Sequence, residues 1–303
     1  MVKIPTLYQV VIALHVKKRQ GCTKDLGFNS ECRRAILEAA RALAALHLHT
    51  NLPNTRIPNI IHQTWSSRRK STIPPHVNDS VTSWRSANSG SVHLFWDDAD
   101  MDEMVRVMYP AWYGLYRGLP RAVMRADVFR YLVLLGFGGV YADVDTKCLR
   151  PVEKWVEPKD IASWTYPRIL EGASEPVIYP TVGDRTVAFI VGIETDVPRS
   201  YGLKWQKYYA RPMQMCQWTM AAAPGHPILS AVTASIFKTV SDAKASGEPL
   251  GRDPTRVTGP QPWTFAIYDA WKMYGIEEEA LREFGETGRV SGDMLVLPIT
   301  AFR

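Results

Sequence analysis

The sequence predicts an α/β fold, and three observations carry that expectation. From Ile57 onward, short apolar runs alternate with helical periods. At residues 125–146 an apolar helical period passes through Gly138-Gly139 directly into an extended apolar run, the joint of a helix with a sheet strand. The chain has 303 residues, 46% hydrophobic and 22% charged, so it can bury a large core, and disordered, collagenous and fibrous classes are excluded. Such a length suits two domains, or one α/β domain of ~250 residues with a tail.

The elements follow in order. Glu31 to His47 is rich in Ala and Leu, with Ile36, Ala40, Leu43 and Ala44 at helical spacing, and reads as a helix ahead of the main fold. Asn51-Leu-Pro-Asn-Thr breaks it. Strands are expected at Asn59–Gln63, Val92–Trp96, Gly139–Asp143, Asp160–Trp164, Val187–Gly192 and Met294–Leu297. Helices are expected at Pro75–Ala87, Asp98–Met108, Arg121–Leu135, Pro227–Lys244 and Trp263–Tyr274. Tyr166–Asp184 and Gly247–Pro262 read as long loops, where substrates commonly bind on such scaffolds.

Charge argues against a nucleic-acid partner. Residues 1–70 hold twelve Lys/Arg against three acids, net +9, whereas residues 71–303 hold 24 against 27, net −3. The basic excess therefore sits on the N-terminal segment and not on the expected domain. Cys22, Cys32, Cys148 and Cys216 form no C-x-x-C pair, so no zinc knuckle or dithiol motif is written here. The uncharged apolar stretch Ile4–Val16 would span ~20 Å as a helix, short of a bilayer's ~30 Å core, and its basic flank follows it, the reverse of a signal peptide.

The densest chemical signal is Arg125 to Thr146. Val128, Leu132 and Leu135 form an apolar stripe, while Asp127, Arg130 and Tyr131 share another face. Val140 to Asp145 reads as extended, with Tyr141, Asp143 and Asp145 on one side. Two carboxylates ~7 Å apart at a strand's C-terminal end suit a hard divalent cation that completes its shell with phosphates and water. Asp-x-Asp alone is weak: Asp98-Ala-Asp100 and Asp100-Met-Asp102 repeat it, but they open a helix, where acids cap amide groups.

Six segments in order resemble the DXD glycosyltransferases of family 32, most closely the initiation-specific α-1,6-mannosyltransferase branch. They are Ile57-Pro-Asn-Ile-Ile-His-Gln-Thr-Trp65, the 125–146 block, Tyr208-Tyr-Ala-Arg-Pro-Met-Gln-Met-Cys-Gln-Trp218, Pro224-Gly-His-Pro-Ile-Leu229, Val257-Thr-Gly-Pro260 and Leu297-Pro-Ile-Thr-Ala-Phe302. The resemblance implies a GT-A nucleotide-diphospho-sugar transferase fold, a Rossmann-like mixed sheet flanked by helices. It also implies GDP-mannose as donor, Mn2+ or Mg2+ as metal, and retaining α-1,6 transfer to an N-glycan core. The setting it implies is the Golgi lumen, with type II membrane association and assembly with other Golgi mannosyltransferases.

Carried over by residue, Asp143 and Asp145 hold the metal, with Asp145 the main ligand and Asp143 also touching the donor ribose. Asp127 and Arg130 hold the donor sugar, Trp65 stacks on the base, and Tyr141 lines the same wall. Plainer roles compete: Trp65 closes an apolar strand and Arg130 can pair locally with Asp127. His226 suits a cap for the helix that follows, Gly259-Pro260 an acceptor-side loop or a helix entry, and His62 a structural histidine.

On this reading residues 1–54 are a basic, helical stem-like segment and residues 55–303 the catalytic domain. Family members carry a membrane anchor ahead of the stem, and no stretch before Ile57 is long enough to span a bilayer. They also continue past the Leu297–Phe302 segment, which leaves the catalytic domain open to being C-terminally incomplete. Three alternatives stay open. One is mannosyl transfer to inositol phosphoceramide; another is a non-catalytic sugar-nucleotide binder. The third is a haloacid-dehalogenase-type phosphatase, disfavoured because Thr146 is followed by Lys147 and no downstream Gly-Asp-x-x-x-Asp exists.

Overall fold

The computed structural model describes residues 51–67, 73–162, 186–273, 276 and 281–302. The expected 31–47 helix and 166–184 loop lie outside these residues. Seven strands form one mixed sheet in the order β2-β1-β3-β5-β4-β7-β6. They are β1 (Ile60–Thr64), β2 (Val92–Trp96), β3 (Gly139–Ala142), β4 (Phe189–Asp196), β5 (Met213–Ala222), β6 (Arg289–Ser291) and β7 (Met294–Leu297). β1 pairs in parallel with both β2 and β3, so the chain order reverses at β1. Open α/β sheets bind ligands at such a reversal, beyond the carboxyl ends of the strands.

Helices cover both faces. We label them α1 (Pro75–Ala87), α2 (Asp98–Met108), α3 (Pro110–Arg117), α4 (Ala122–Phe137), α5 (Pro158–Ala162), α6 (Pro227–Ser246), α7 (Pro254–Val257) and α8 (Pro260–Met273). The larger core joins Trp96, Phe129, Leu132, Phe189, Trp263 and Trp271 on one face. The other face gathers Leu52, Ile61, Trp84, Val140 and Trp155. No helix among the described residues is long and apolar enough to cross a membrane.

α4 is buried on nearly every side, including Asp127 and Arg130, because α6 and α8 pack over the sheet beside it. Its end is set by two glycines. Gly138 (φ +64°) and Gly139 (φ +99°) adopt conformations costly to L side chains, and a Cβ on Gly139 would stand 2.6 Å from the Ile60 carbonyl oxygen. Only glycine lets α4 turn into β3 so tightly against β1.

The structure corrects three expectations and adds four elements. Residues 158–162 are helical, not the start of a strand. Pro158 opens the turn, and the Glu157 amide donates to Asp160 Oδ2 at 2.9 Å, so the aspartate closes a helix entry. Extended backbone stops at Ala142: residues 143–146 turn, with the Thr146 amide (3.1 Å) and hydroxyl (2.6 Å) both donating to the Asp143 carbonyl. Unanticipated are β5, β6, the eight-residue helix α3 and the short helix α7. With the first residues of α8, α7 makes the expected Gly247–Pro262 loop partly helical, Pro254 and Pro260 opening the two helices.

Candidate active site

One cleft of about 340 Å³ opens beyond the carboxyl ends of β1, β2 and β3. Thr64, Trp65 and Ser66 contribute from the end of β1, and Asp98 and Met101 from the start of α2. Ala122, Val123, Ala126 and Arg130 come from α4, and Tyr141, Asp143, Val144 and Asp145 from β3 and its turn. Five of the six residues singled out from the sequence therefore share one cavity. The sixth, Asp127, does not line it: its side chain is 6% exposed and sits behind Arg130.

Arg130 organises this centre. Its Nη2 lies 3.1 Å from Asp127 Oδ1 and 3.4 Å from Asp143 Oδ1, its Nη1 donates to the Gln217 carbonyl at 3.1 Å, and its guanidinium lies over the Tyr141 ring at 5.1 Å. Its Nε is buried without a hydrogen-bond partner. Burial opposes the charge on Arg130, but Asp143, Tyr141 and Asp127 outweigh it and hold the group protonated above its usual range.

Burial raises Asp143 above the usual carboxylate range, and Arg130 and the Tyr141 hydroxyl only partly counter it. Burial likewise raises Asp127 against the pull of Arg130 and Thr258. Tyr141 Oη donates to Asp143 Oδ1 at 2.7 Å, with Thr64 Oγ1 3.2 Å from the same hydroxyl. Asp143 is thus fixed while Asp145 is exposed at the tip of the turn.

Among the described residues no cluster of three or more His, Cys, Asp or Glu side chains could hold a metal. Two carboxylates on one turn still fit a hard divalent cation, provided a diphosphate and water supply the remaining oxygens. Arg130, a cation on the same cleft wall, suits the negative charge of such a diphosphate. Trp65 is half-buried against Val77, Val81, Phe95 and Val144 and reaches the cleft. It packs against the core and lines the cleft at once.

The remaining motif residues have structural partners. His62 is fully buried, with Nε2 3.0 Å from the Gly138 carbonyl oxygen and Nδ1 accepting from Trp96 Nε1 at 3.2 Å. His226 caps α6, its Nδ1 accepting from the Ile228 amide at 3.3 Å. Asp97 and Asp100 form a reciprocal capping box at the start of α2. Gly259-Pro260 is a helix entry. Cys148 and Cys216 are free and buried.

Sequence reasoning missed Ser66, Asp98 and Met101 on the cleft wall and Thr258 and Gln217 behind it. Thr258 and Gln217 fall within segments that carried the resemblance, but nothing in their spacing connects them to Asp127 and Arg130.

The family described as "Glycosyltransferase sugar-binding region containing DXD motif" matches residues 74–162, the span that holds Asp127, Arg130, Tyr141, Asp143 and Asp145. Residues 74–162 carry this family's sugar-binding region. Initiation-specific alpha-1,6-mannosyltransferase of Schizosaccharomyces pombe is 34% identical over 81% of this chain and 57% of its own length. The Candida albicans protein of the same name is 28% identical over 92% of this chain and 74% of its own length. The chain thus spans little more than half of the first relative. Inositol phosphoceramide mannosyltransferase 3 of S. pombe matches at 34% identity, but over only 32% of this chain. Among solved structures, PaToxG Glycosyltransferase aligns with a TM-score of 0.46 at 13% identity, covering 82% of this chain and 81% of that one.

Proposed function

We propose that this chain transfers mannose from GDP-mannose to a glycan acceptor, retaining the α configuration in an α-1,6 linkage, on a GT-A scaffold. The observation that carries the reading is the convergence of Trp65, Arg130, Tyr141, Asp143 and Asp145 on one cleft at the sheet's reversal point. Similarity to the two initiation-specific enzymes over most of this chain favours an N-glycan core as acceptor, whereas the inositol phosphoceramide enzymes match about a third of it.

Asp145, with Asp143, would hold Mn2+ or Mg2+, which supplies charge stabilisation to the departing diphosphate. The chain's own residues do the rest. Trp65 offers a stacking face to the base, and Arg130, on the cleft wall, offers its guanidinium charge to phosphate or sugar oxygens. Arg130, braced from behind by Asp127, orients the donor sugar so that the anomeric carbon faces the acceptor. Tyr141 restrains Asp143 through its 2.7 Å hydrogen bond. Among these residues none is placed as a covalent nucleophile, which favours displacement on the face shielded by the leaving phosphate. By the same family likeness, we assign the protein to the Golgi lumen, membrane-associated and working beside other mannosyltransferases.

The test is a donor screen with the purified protein, with and without manganese, reading nucleotide release. GDP-mannose with manganese should give the largest release. Binding without turnover would instead indicate a sugar-nucleotide binder, and phosphate released from simple monoesters a phosphatase.

A further inference from the structure

Two side chains at the centre of the site are held by groups far away in sequence. Thr258, fully buried in the joint between α7 and α8, donates from Oγ1 to Asp127 Oδ2 at 2.8 Å. Asp127 Oδ1 faces Arg130 while Oδ2 accepts from Thr258, and the Gln217 side chain is a further hydrogen-bond partner of this carboxylate. A carboxylate with one partner turns freely about its last bond, whereas two partners fix its plane.

Thr258 is itself held firmly. Its amide and that of Gly259 both donate to the Pro254 carbonyl, at 3.0 and 2.7 Å, and a Cβ on Gly259 would meet that same oxygen at 2.9 Å. The Thr258 carbonyl accepts from Tyr131 Oη at 3.1 Å and from Gln217 Nε2 at 3.3 Å, and Gln217 Nε2 also donates to Tyr131 Oη at 2.6 Å. The Gln217 carbonyl in turn accepts from Arg130. Thr258 therefore ties the 253–260 turn, α4 and β5 to Asp127 and, through it, to Arg130 on the cleft wall.

We propose that Thr258 is a positioning residue for sugar transfer, acting through Asp127 by fixing the plane of its carboxylate against Arg130. The inference rests on the reading that Arg130, braced by Asp127, orients the donor sugar. It differs from a purely structural role in what it predicts for kinetics, because a misaligned sugar slows the reaction more than it weakens nucleotide binding.

The experiment compares the full chain with Thr258→Val and Thr258→Ser, measuring kcat and KM for GDP-mannose with manganese, GDP affinity by calorimetry, and thermal unfolding. Thr258→Val should lower kcat at least tenfold while GDP affinity stays within about twofold. Thr258→Ser, which keeps the hydroxyl, should recover kcat to within about threefold of the parent. Should Thr258→Val not fold, Thr258→Cys, of similar size and a weaker donor, replaces it with the same expectation. A kcat within twofold of the parent for the hydroxyl-deleted variant, or a serine variant as slow as it, overturns the positioning role. A parent that releases no GDP from GDP-mannose overturns the reading of the site and the positioning role with it. An active parent confines any failure to Thr258.

Discussion

Replacing Arg130 by methionine tests the electrostatic centre most directly. The guanidinium, 7% exposed, stands 3.1 Å from Asp127 and 3.4 Å from Asp143, whose side chains are 6% and 27% exposed. Methionine keeps much of the volume and the contact with the Tyr141 ring but leaves two carboxylates facing each other without a cation. Removing one partner of a buried ion pair costs about 3–5 kcal/mol, and the partial exposure of Asp143 places the expectation at about 3 kcal/mol. For a domain of this size that lowers Tm by roughly 6–12 °C.

The deficit should shrink on acidification, and its sign follows from linkage. Burial already raises Asp127 and Asp143 above the usual carboxylate range, and losing Arg130 raises them further. A carboxyl raised in the folded state binds more protons there than in the unfolded chain, so its folded form gains stability as pH falls through the raised pKa toward the ordinary value. Urea unfolding of parent, Arg130→Met and Arg130→Lys at pH 7 and pH 5 measures this. Lysine, which keeps the charge without the fork, should fall between the two. An Arg130→Met variant within about 0.5 kcal/mol of the parent at pH 7 would refute the argument.

Three further outcomes are expected. Asp145→Asn removes one charge from an exposed turn, so it should melt like the parent yet lose metal-dependent GDP binding; calorimetry showing parent-like affinity for both would remove Asp145 from the site. Gly139→Ala places a methyl 2.6 Å from the Ile60 carbonyl at φ +99° and should cost more than about 2 kcal/mol, read as a lower denaturation midpoint. A chain beginning at Asn51 keeps Leu52 in the core and the bridge from Asn51 to Pro58, so it should retain cooperative melting and GDP affinity; its unfolding would move the domain boundary toward residue 1.

The legible part of this protein is its local part. The period of Val128 and Leu132, the Gly138-Gly139 joint and the apolar run after it are set by neighbours within a few residues, and they delivered Asp143 and Asp145 to the cleft as expected. Acidic capping at the start of α2 and the His226 cap were legible for the same reason, although the capping residue is Asp97 with Asp100 and not Asp98. Met213–Ala222 was not, because Met, Gln and Ala have little strand preference; this segment is a strand because β3 and β4 pair with it on both sides. Asp160 sits in a helix where short apolar flanks suggested a strand, since Pro158 and a local carboxylate cap outweigh the pattern. The sequence by itself thus determined the α4–β3 unit and the carboxylates it presents at the cleft. Only the tertiary structure decided that Asp127 stands behind Arg130, and that a hydroxyl 131 residues further along the chain closes on it. Such a contact depends on the packing of α4, β5 and the 253–260 turn together, and no local spacing encodes it.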